Sequence, residues 1–248
     1  MIAVANQKGG VAKTTTVHAL GRALADLRLR VLLVDLDPQA CLTWALDLDP
    51  DRLDKTLHDV LLGRCETREV LVDCDGITLL PANIDLAGAE VHLVTRTGRE
   101  QALARVLRPV QYDYDIVLID CPPSLGILTV CGLTAADEVI IPLQCESLSQ
   151  RGLGQLLETV GDVREFTNPG LSVSGAIATM FDSRTNLAKQ VVAEVNENFG
   201  VKVFEPPVPR TVRVAESAGQ GLSILEHAPR SRAAEAYRAL AVQIGGQP

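Results

Sequence analysis

Aromatic residues are scarce in this 248-residue chain, at 3% of the total (four Phe, three Tyr, one Trp). A core built on ring packing is therefore excluded, and the 47% of hydrophobic residues must pack mainly as Leu, Val, Ala and Ile. No apolar run approaches the roughly 18 residues that a membrane-spanning helix needs. Six cysteines occur without a CxxC pair and without histidines at metal-ligand spacing. They read as small buried hydrophobes in a reducing cytosol, not as disulfides or a zinc site. No secretory leader is expected, since the first residues already read as a strand. No Pro/Gly/Ser-rich linker, low-complexity tract or internal repeat divides the chain, and a single domain over residues 1–248 is expected.

Net charge is −8, which disfavours a polyanion partner for the molecule taken whole. The distribution is uneven: residues 1–183 carry 15 Lys/Arg against 25 Asp/Glu, and residues 184–248 carry 8 against 6. A nucleic-acid partner would have to meet the C-terminal quarter.

Apolar β-rich runs alternate with helical patterns. Strands are expected at Ile2–Asn6, Val31–Asp35, Ile77–Pro81, Ile116–Asp120, Val139–Pro142, Val173–Met180 and Lys202–Glu205. Helices are expected at Lys13–Leu27, Gly98–Leu107, Leu125–Ala135, Ser149–Phe166, Asn186–Phe199 and Ser231–Ile244. Continuous runs such as Val-Leu-Leu-Val and Ile-Val-Leu-Ile suit parallel strands covered on both faces. The alternation implies a three-layer α/β fold, a mostly parallel sheet flanked by helices. Asp47–Asp59, polar and Pro-containing, reads as a surface excursion.

Between the first strand and first helix lies Ala5-Asn6-Gln7-Lys8-Gly9-Gly10-Val11-Ala12-Lys13-Thr14-Thr15-Thr16. Glycines there let backbone N–H groups turn inward as an anion nest, and the helix N-terminus adds its positive dipole end. Lys13 would sit on the β- and γ-phosphates of ATP, with the Thr14 hydroxyl on Mg²⁺. Gln7 and Ala12 stand where a strict phosphate loop has glycine, and Lys8 is an additional loop cation. A methyl at position 12 is tolerable as long as φ stays negative. Two apolar strands end in acids: Asp35, followed by Asp37, and Asp120. Strand alternation would put Asp35 and Asp37 on one side, facing the phosphates. Asp120 after Ile116-Val117-Leu118-Ile119 has the pattern of an acid that holds Mg²⁺ through water.

Lys-Gly-Gly-x-x-Lys-Thr resembles the deviant Walker A loop of the ParA/MinD family of P-loop ATPases, and Cys121-Pro122-Pro123-Ser124-Leu125-Gly126 resembles its switch II. Further ParA/Soj-like segments are Pro81–Glu90, Ile141–Glu146, Thr179–Thr185 and Val208–Arg213, so that the likeness covers the whole chain. The resemblance implies a P-loop NTPase fold and a slow ATPase using ATP and Mg²⁺. It implies contacts to the nucleotide from Lys8, Gly9, Gly10, Val11, Ala12, Lys13, Thr14 and Thr15, with Met180, Pro209 and Arg210 near the adenine. Lys8 would reach the nucleotide of a second subunit, Asp35 would support the Mg²⁺ shell with Thr14 and Asp120, and Asp37 would orient the attacking water. The catalytic set is then Lys8, Lys13 and Asp37.

The family's branches differ in what the ATP-bound homodimer adheres to. The C-terminal Ala-Val-Gln-Ile-Gly-Gly-Gln-Pro has neither positive charge nor an exposed apolar stripe, so a membrane-docking helix is not expected. Similarity to the ParA/Soj branch, whose shorter members begin directly at the first strand, implies chromosome or plasmid partition. It implies a cytoplasmic, nucleoid-associated homodimer that binds double-stranded DNA non-specifically through Arg184 and Arg213 and is stimulated by a ParB-like protein. Two alternatives remain: a relative that positions a protein complex or regulates division, and a P-loop kinase or synthetase acting on a small molecule.

Overall fold

The computed structural model describes residues 1–146 and 149–245; the last three residues of the C-terminal stretch discussed above lie outside them. Chain order begins β1 (Ile2–Val4), α1 (Lys13–Asp26), β2 (Val31–Asp35), α2 (Cys41–Ala45), α3 (Leu57–Leu61), β3 (Val72–Cys74) and β4 (Ile77–Leu80). It continues with α4 (Leu86–Val94), α5 (Ala102–Leu107), β5 (Ile116–Asp120), α6 (Ile127–Ala135), β6 (Glu138–Gln144) and α7 (Ser149–Phe166). The remainder is β7 (Ser172–Thr179), α8 (Asn186–Phe199), β8 (Val203–Phe204), α9 (Val212–Ala218), α10 (Ile224–His227) and α11 (Arg232–Gly245).

The strands form one sheet in the order β3-β4-β2-β5-β1-β6-β7-β8, parallel except for β3, which pairs antiparallel with β4. Both faces are covered, which is why β2 and β5 are apolar at every position up to the acids that end them. Ala3, Ala5, Leu32, Val34, Val117 and Ile119 pack into one core beneath α3 to α8. Ile2, Val4, Val31, Leu33 and Leu118 face the other, beneath α1, α2, α10 and α11. The three-layer architecture is the one expected for a P-loop NTPase.

All seven expected strands and six expected helices are present: β2, β5, α7 and α8 have the expected ends, and the others are shifted by one or two residues, except that a 3₁₀ turn at Arg99–Gln101 replaces the first turn of the Gly98–Leu107 helix. The edge strand β3 and the short helices α2, α3, α9 and α10 were not expected, because three to seven residues carry too little of a hydrophobic period. The nine-residue α4 also escaped the pattern. The Asp47–Asp59 excursion holds a 3₁₀ turn at Pro50–Arg52 and the start of α3, whose Thr56 and Leu57 are buried.

Tyr237, the largest fully buried side chain, ties α11 to α1 through a 3.2 Å hydrogen bond between its hydroxyl and that of Thr16. The helix that follows the glycine-rich loop is thereby fixed from outside as well as by the sheet.

Candidate functional site

β1 lies between β5 and β6, and α1 departs from its C-terminal end toward β2, while β5 leads the other way to β6. A crevice opens at such a reversal of strand order, and ligands of open parallel sheets bind there. The Lys8–Thr15 segment occupies it.

The loop is pinned from behind. The buried amide of Asn6 donates to the Pro142 carbonyl at 2.7 Å and accepts from the Lys8 amide at 3.0 Å. The Thr179 hydroxyl donates to the Val11 carbonyl at 3.0 Å, which joins the loop to the end of β7. Asn6 and Thr179 had not been singled out, although a polar residue ending an apolar strand was a legible signal for each. Lys13 is buried, and its Nζ donates to the Lys8 carbonyl at 3.1 Å. Burial lowers its pKa, and the Asp120, Cys121 and Asp37 charges oppose that fall.

Ala12 departs from expectation. It takes φ 66° and ψ 36°, the left-handed conformation, as the residue that caps α1. The condition under which its methyl was acceptable, a negative φ, is not met. Gly10 is also left-handed, at φ 74°, at no steric cost. The loop keeps the backbone path of a glycine at position 12 and carries the strain of an alanine.

Two cavity lobes of about 400 and 450 Å³ meet over Gly10, Ala12 and Thr15. The first is lined by Gly9, Lys13, Thr14 and Asp37, and reaches Cys41 and Ser223. The second is lined by Met180, Pro209 and Arg210, with Thr179 and Tyr237 behind them. Phe181 bridges Pro209, with the Phe181 amide donating to the Val208 carbonyl at 2.9 Å, and this sets those two loops side by side. A triphosphate in the first lobe and a base in the second match the size and lining of the pair. Lys8 lines neither lobe. Its Nζ turns away to Glu146 at 2.8 Å and Gln144 at 3.3 Å.

Asp35 and Asp120 are directly paired in the register of β2 and β5, and both are fully buried. Their side chains therefore project together toward the α1 face. Asp35 is satisfied: Oδ2 accepts from the Thr43 amide at 2.8 Å and hydroxyl at 2.7 Å, and Oδ1 from the Asp37 amide at 3.2 Å. Burial nevertheless pushes its pKa up to about 6. Neither oxygen of Asp120 has a hydrogen-bond partner by distance and angle. Burial and the Asp35 charge hold it well above the usual carboxylate range, while the Thr14 hydroxyl beside it pulls the other way. A buried carboxylate without a donor, next to Thr14 and Lys13, suits a water-sheathed Mg²⁺. No cluster of three or more His, Cys, Asp or Glu able to hold a metal occurs among the described residues. A Mg²⁺ ligated mainly by phosphate, Thr14 and water does not require one.

The expected alternation of Asp35 and Asp37 is not what the chain does. β2 ends at Asp35, and Asp37 lies in a turn, accepting from the Gln39 amide at 2.9 Å. Only Asp37 lines the first lobe. Thr43, which carries Asp35 and also accepts from the Ala82 amide at 3.0 Å, was invisible without knowing that α2 folds back over the strand end. Arg184 stands on the loop that follows β7, and Arg213 in the first turn of α9, whose Val212 and Val214 line the second lobe. Arg213 is exposed, and Arg184 is held by Asp182 at 2.7 and 2.9 Å.

Ala12→Gly should stabilise the nucleotide-free protein by about 0.5–1 kcal/mol in chemical denaturation, the left-handed cost exceeding the entropy that glycine adds to the unfolded chain. Asp120→Asn should also stabilise it at pH 8, by about 1–3 kcal/mol, because an unpartnered buried charge is removed. The sign follows from the raised pKa: the wild type loses stability as pH rises from the unfolded value through the folded one, and the variant does not. At about pH 4, where the carboxyl takes up its proton in both states, the two should melt together. The same variant should lose the extra stabilisation that Mg²⁺ gives in the presence of ATP, measured as a shift in Tm.

A sequence profile described as an AAA domain matches residues 1–173. Soj of Bacillus subtilis, described as a sporulation initiation inhibitor protein, is 44% identical over 98% of this chain and 97% of its own. The chromosome partitioning protein ParA of Myxococcus xanthus is 45% identical over 97% of this chain and 86% of its own. A crystal structure from Mycobacterium smegmatis with bound ATP analogue and magnesium, named cobyrinic acid a,c-diamide synthase, is 51% identical. It covers 99% of this chain and 96% of that one, with a TM-score of 0.88. ATP and Mg²⁺ are accordingly the cofactors of the site. The chain belongs to the ParA/MinD family of P-loop ATPases, among its ParA/Soj members.

Proposed function

We propose that this protein is the nucleotide switch of a DNA-partition system, slow in hydrolysis and active as an ATP-bound homodimer. The observation that carries the reading is the placement of Lys8. A loop lysine that served its own nucleotide would enter the first lobe, as Lys13 does; Lys8 instead lies outside it, against Glu146 on the surface. It is available to the phosphates of a second chain brought up to that face.

Within one chain, Lys13 exchanges the Lys8 carbonyl for β- and γ-phosphate oxygens, and the amides of the Gly9–Lys13 turn surround them. Thr14 would hold Mg²⁺ directly and Asp120 through water, and the ion would supply positive charge against the phosphates. Asp35 fixes α2 and the Asp37 amide, and Asp37 orients the attacking water from the wall of the lobe. Little else in the site pulls a proton or offsets transition-state charge, which accords with a slow intrinsic rate that a ParB-like protein accelerates. The ParA and Soj relatives support the partition role.

DNA would be met by Arg184 and Arg213. Arg184 is on the loop whose Met180 lines the second lobe, and Arg213 is in the first turn of α9 between the lining residues Val212 and Val214, so the nucleotide and the DNA phosphates would bear on one pair of segments. With few cations per chain, non-specific binding depends on two chains acting together and weakens with salt in proportion to the cations engaged. Among the described residues no helix is long and apolar enough to cross a membrane. The proposed location is the cytoplasm, on the nucleoid, with residues 1–248 acting as one ATPase domain.

A second reading is favoured by the M. smegmatis structures, whose name denotes an ATP-using synthase. All six thiols of this chain have raised pKa values, through burial first of all, so none is poised to release ammonia from glutamine.

Gel filtration with ATP, ADP and a non-hydrolysable analogue, with and without DNA, separates the readings. Asp37→Ala should give a dimer that persists with ATP and stays on DNA. Arg184→Glu with Arg213→Glu should keep the ATP dimer and lose DNA retention. A monomer under all nucleotides, with ATP turnover rising on cobyrinic acid and ammonia instead of DNA, would replace partition by synthesis.

A further inference from the structure

A cavity of about 450 Å³ lies on the far face of the sheet from α1, and shares no lining residue with the two nucleotide lobes. Its floor is apolar: Val60 and Leu61 of α3 and Ala102 of α5 are core residues whose edges reach it, with Val106 half-buried beside them. Cys65 forms part of the wall, and burial raises its pKa, so the thiol stays neutral. The volume and lining are those of a small-molecule pocket.

Its mouth carries three guanidinium groups, those of Arg68, Arg96 and Arg105, against one carboxylate, Glu66. This inverts the local sign, since residues 1–183 are strongly acidic. The surrounding acids are engaged with other cations. Asp113 pairs with Arg68 at 2.6 Å, Asp59 with Arg64 at 3.2 Å, Glu69 with Lys55 at 2.7 Å, and Glu100 with Arg99 at 3.1 Å. Glu66 opens the 3₁₀ turn Thr67–Glu69, its backbone carbonyl accepting from the Glu69 amide at 3.1 Å and its own amide donating to the Glu69 carboxylate at 2.9 Å. Two cations are left over. Arg96 only donates to the Leu61 carbonyl, at 3.3 Å, which holds its guanidinium across the mouth. Arg105 makes no hydrogen bond or ion pair among the described residues.

We infer that this cavity binds a soluble small molecule with an apolar body and a phosphate or carboxylate head, the body on Val60, Leu61, Ala102 and Val106 and the head between Arg96 and Arg105. Planar guanidinium forks suit such oxyanions, and an adjacent apolar floor adds affinity that a bare ion cannot gain.

Hexyl phosphate is the probe, titrated by calorimetry into the full chain with the nucleotide site filled by Mg·ADP. Saturable binding to one site is expected, with hexanol and inorganic phosphate each weaker by about tenfold or more. Arg96→Ala and Arg105→Ala should each weaken hexyl phosphate by about tenfold, the loss of one charge-assisted hydrogen bond. Arg108→Ala, exposed and outside the cavity, should change nothing. Both cavity variants remove exposed side chains, so an unchanged Tm should accompany the loss. Absence of saturable binding, equal binding of inorganic phosphate, or full affinity in Arg105→Ala would overturn the assignment. Sedimentation with phosphatidic acid vesicles that Arg105→Ala abolishes would overturn the soluble ligand in favour of a lipid headgroup.

Discussion

Two carboxylates, Asp35 and Asp120, stand side by side at the ends of β2 and β5 with no access to water. Two adjacent buried carboxylates disfavour each other's ionisation, and both are pushed toward the neutral form, by burial first and by the charge of a neighbouring carboxylate. Thr43 brings two donors to Asp35, which is why α2 folds back over the strand end. Lys13 is drawn in beside Asp120 despite its own burial. What the protein leaves unsolved is Asp120 itself. Asp120 keeps no hydrogen-bond partner by distance and angle, and a divalent cation held beside it by Thr14 would offset the cost of its burial.

The same arrangement separates the two acids of β2. Asp35 is consumed by structure, whereas Asp37, released from the pleat where the strand stops, hangs in a turn at the cavity wall. The place where the strand ends thus separates neighbours two residues apart, one held inside the fold and the other presented to the cavity. The loop above them is held at both ends, by Asn6, which donates to Pro142 of β6, and by Thr179 of β7. A shift of the sheet's β6–β7 half would be felt directly at the phosphate cradle.

Much of this was legible in the chain. Apolar runs of four ending in Asp located β2 and β5, and the Lys-Gly-Gly-x-x-Lys-Thr run located the cradle, because such strands and loops leave local, ungapped patterns. What stayed hidden depends on tertiary approach. Thr43 becomes a partner of Asp35 only through the path of α2, and the Phe181–Pro209 bridge joins segments remote in sequence. Asp35 and Asp37 misled for a related reason: period-2 alternation holds only while the strand continues. Ala12 misled because residue type alone does not reveal φ, and the loop imposes a glycine's backbone on it.

Arg184 is already spanned by both oxygens of Asp182, its carboxyl drawn down to about 2 by that contact. An incoming polyanion therefore does not find a bare cation there; it must displace an anion that the protein supplies. Such an exchange liberates fewer bound salt ions than the neutralisation of a free guanidinium, because the arginine's charge is compensated before and after. Asp182 acts as an internal counterion, and it makes this part of the surface less adhesive, and less sensitive to ionic strength, than a count of its arginines suggests.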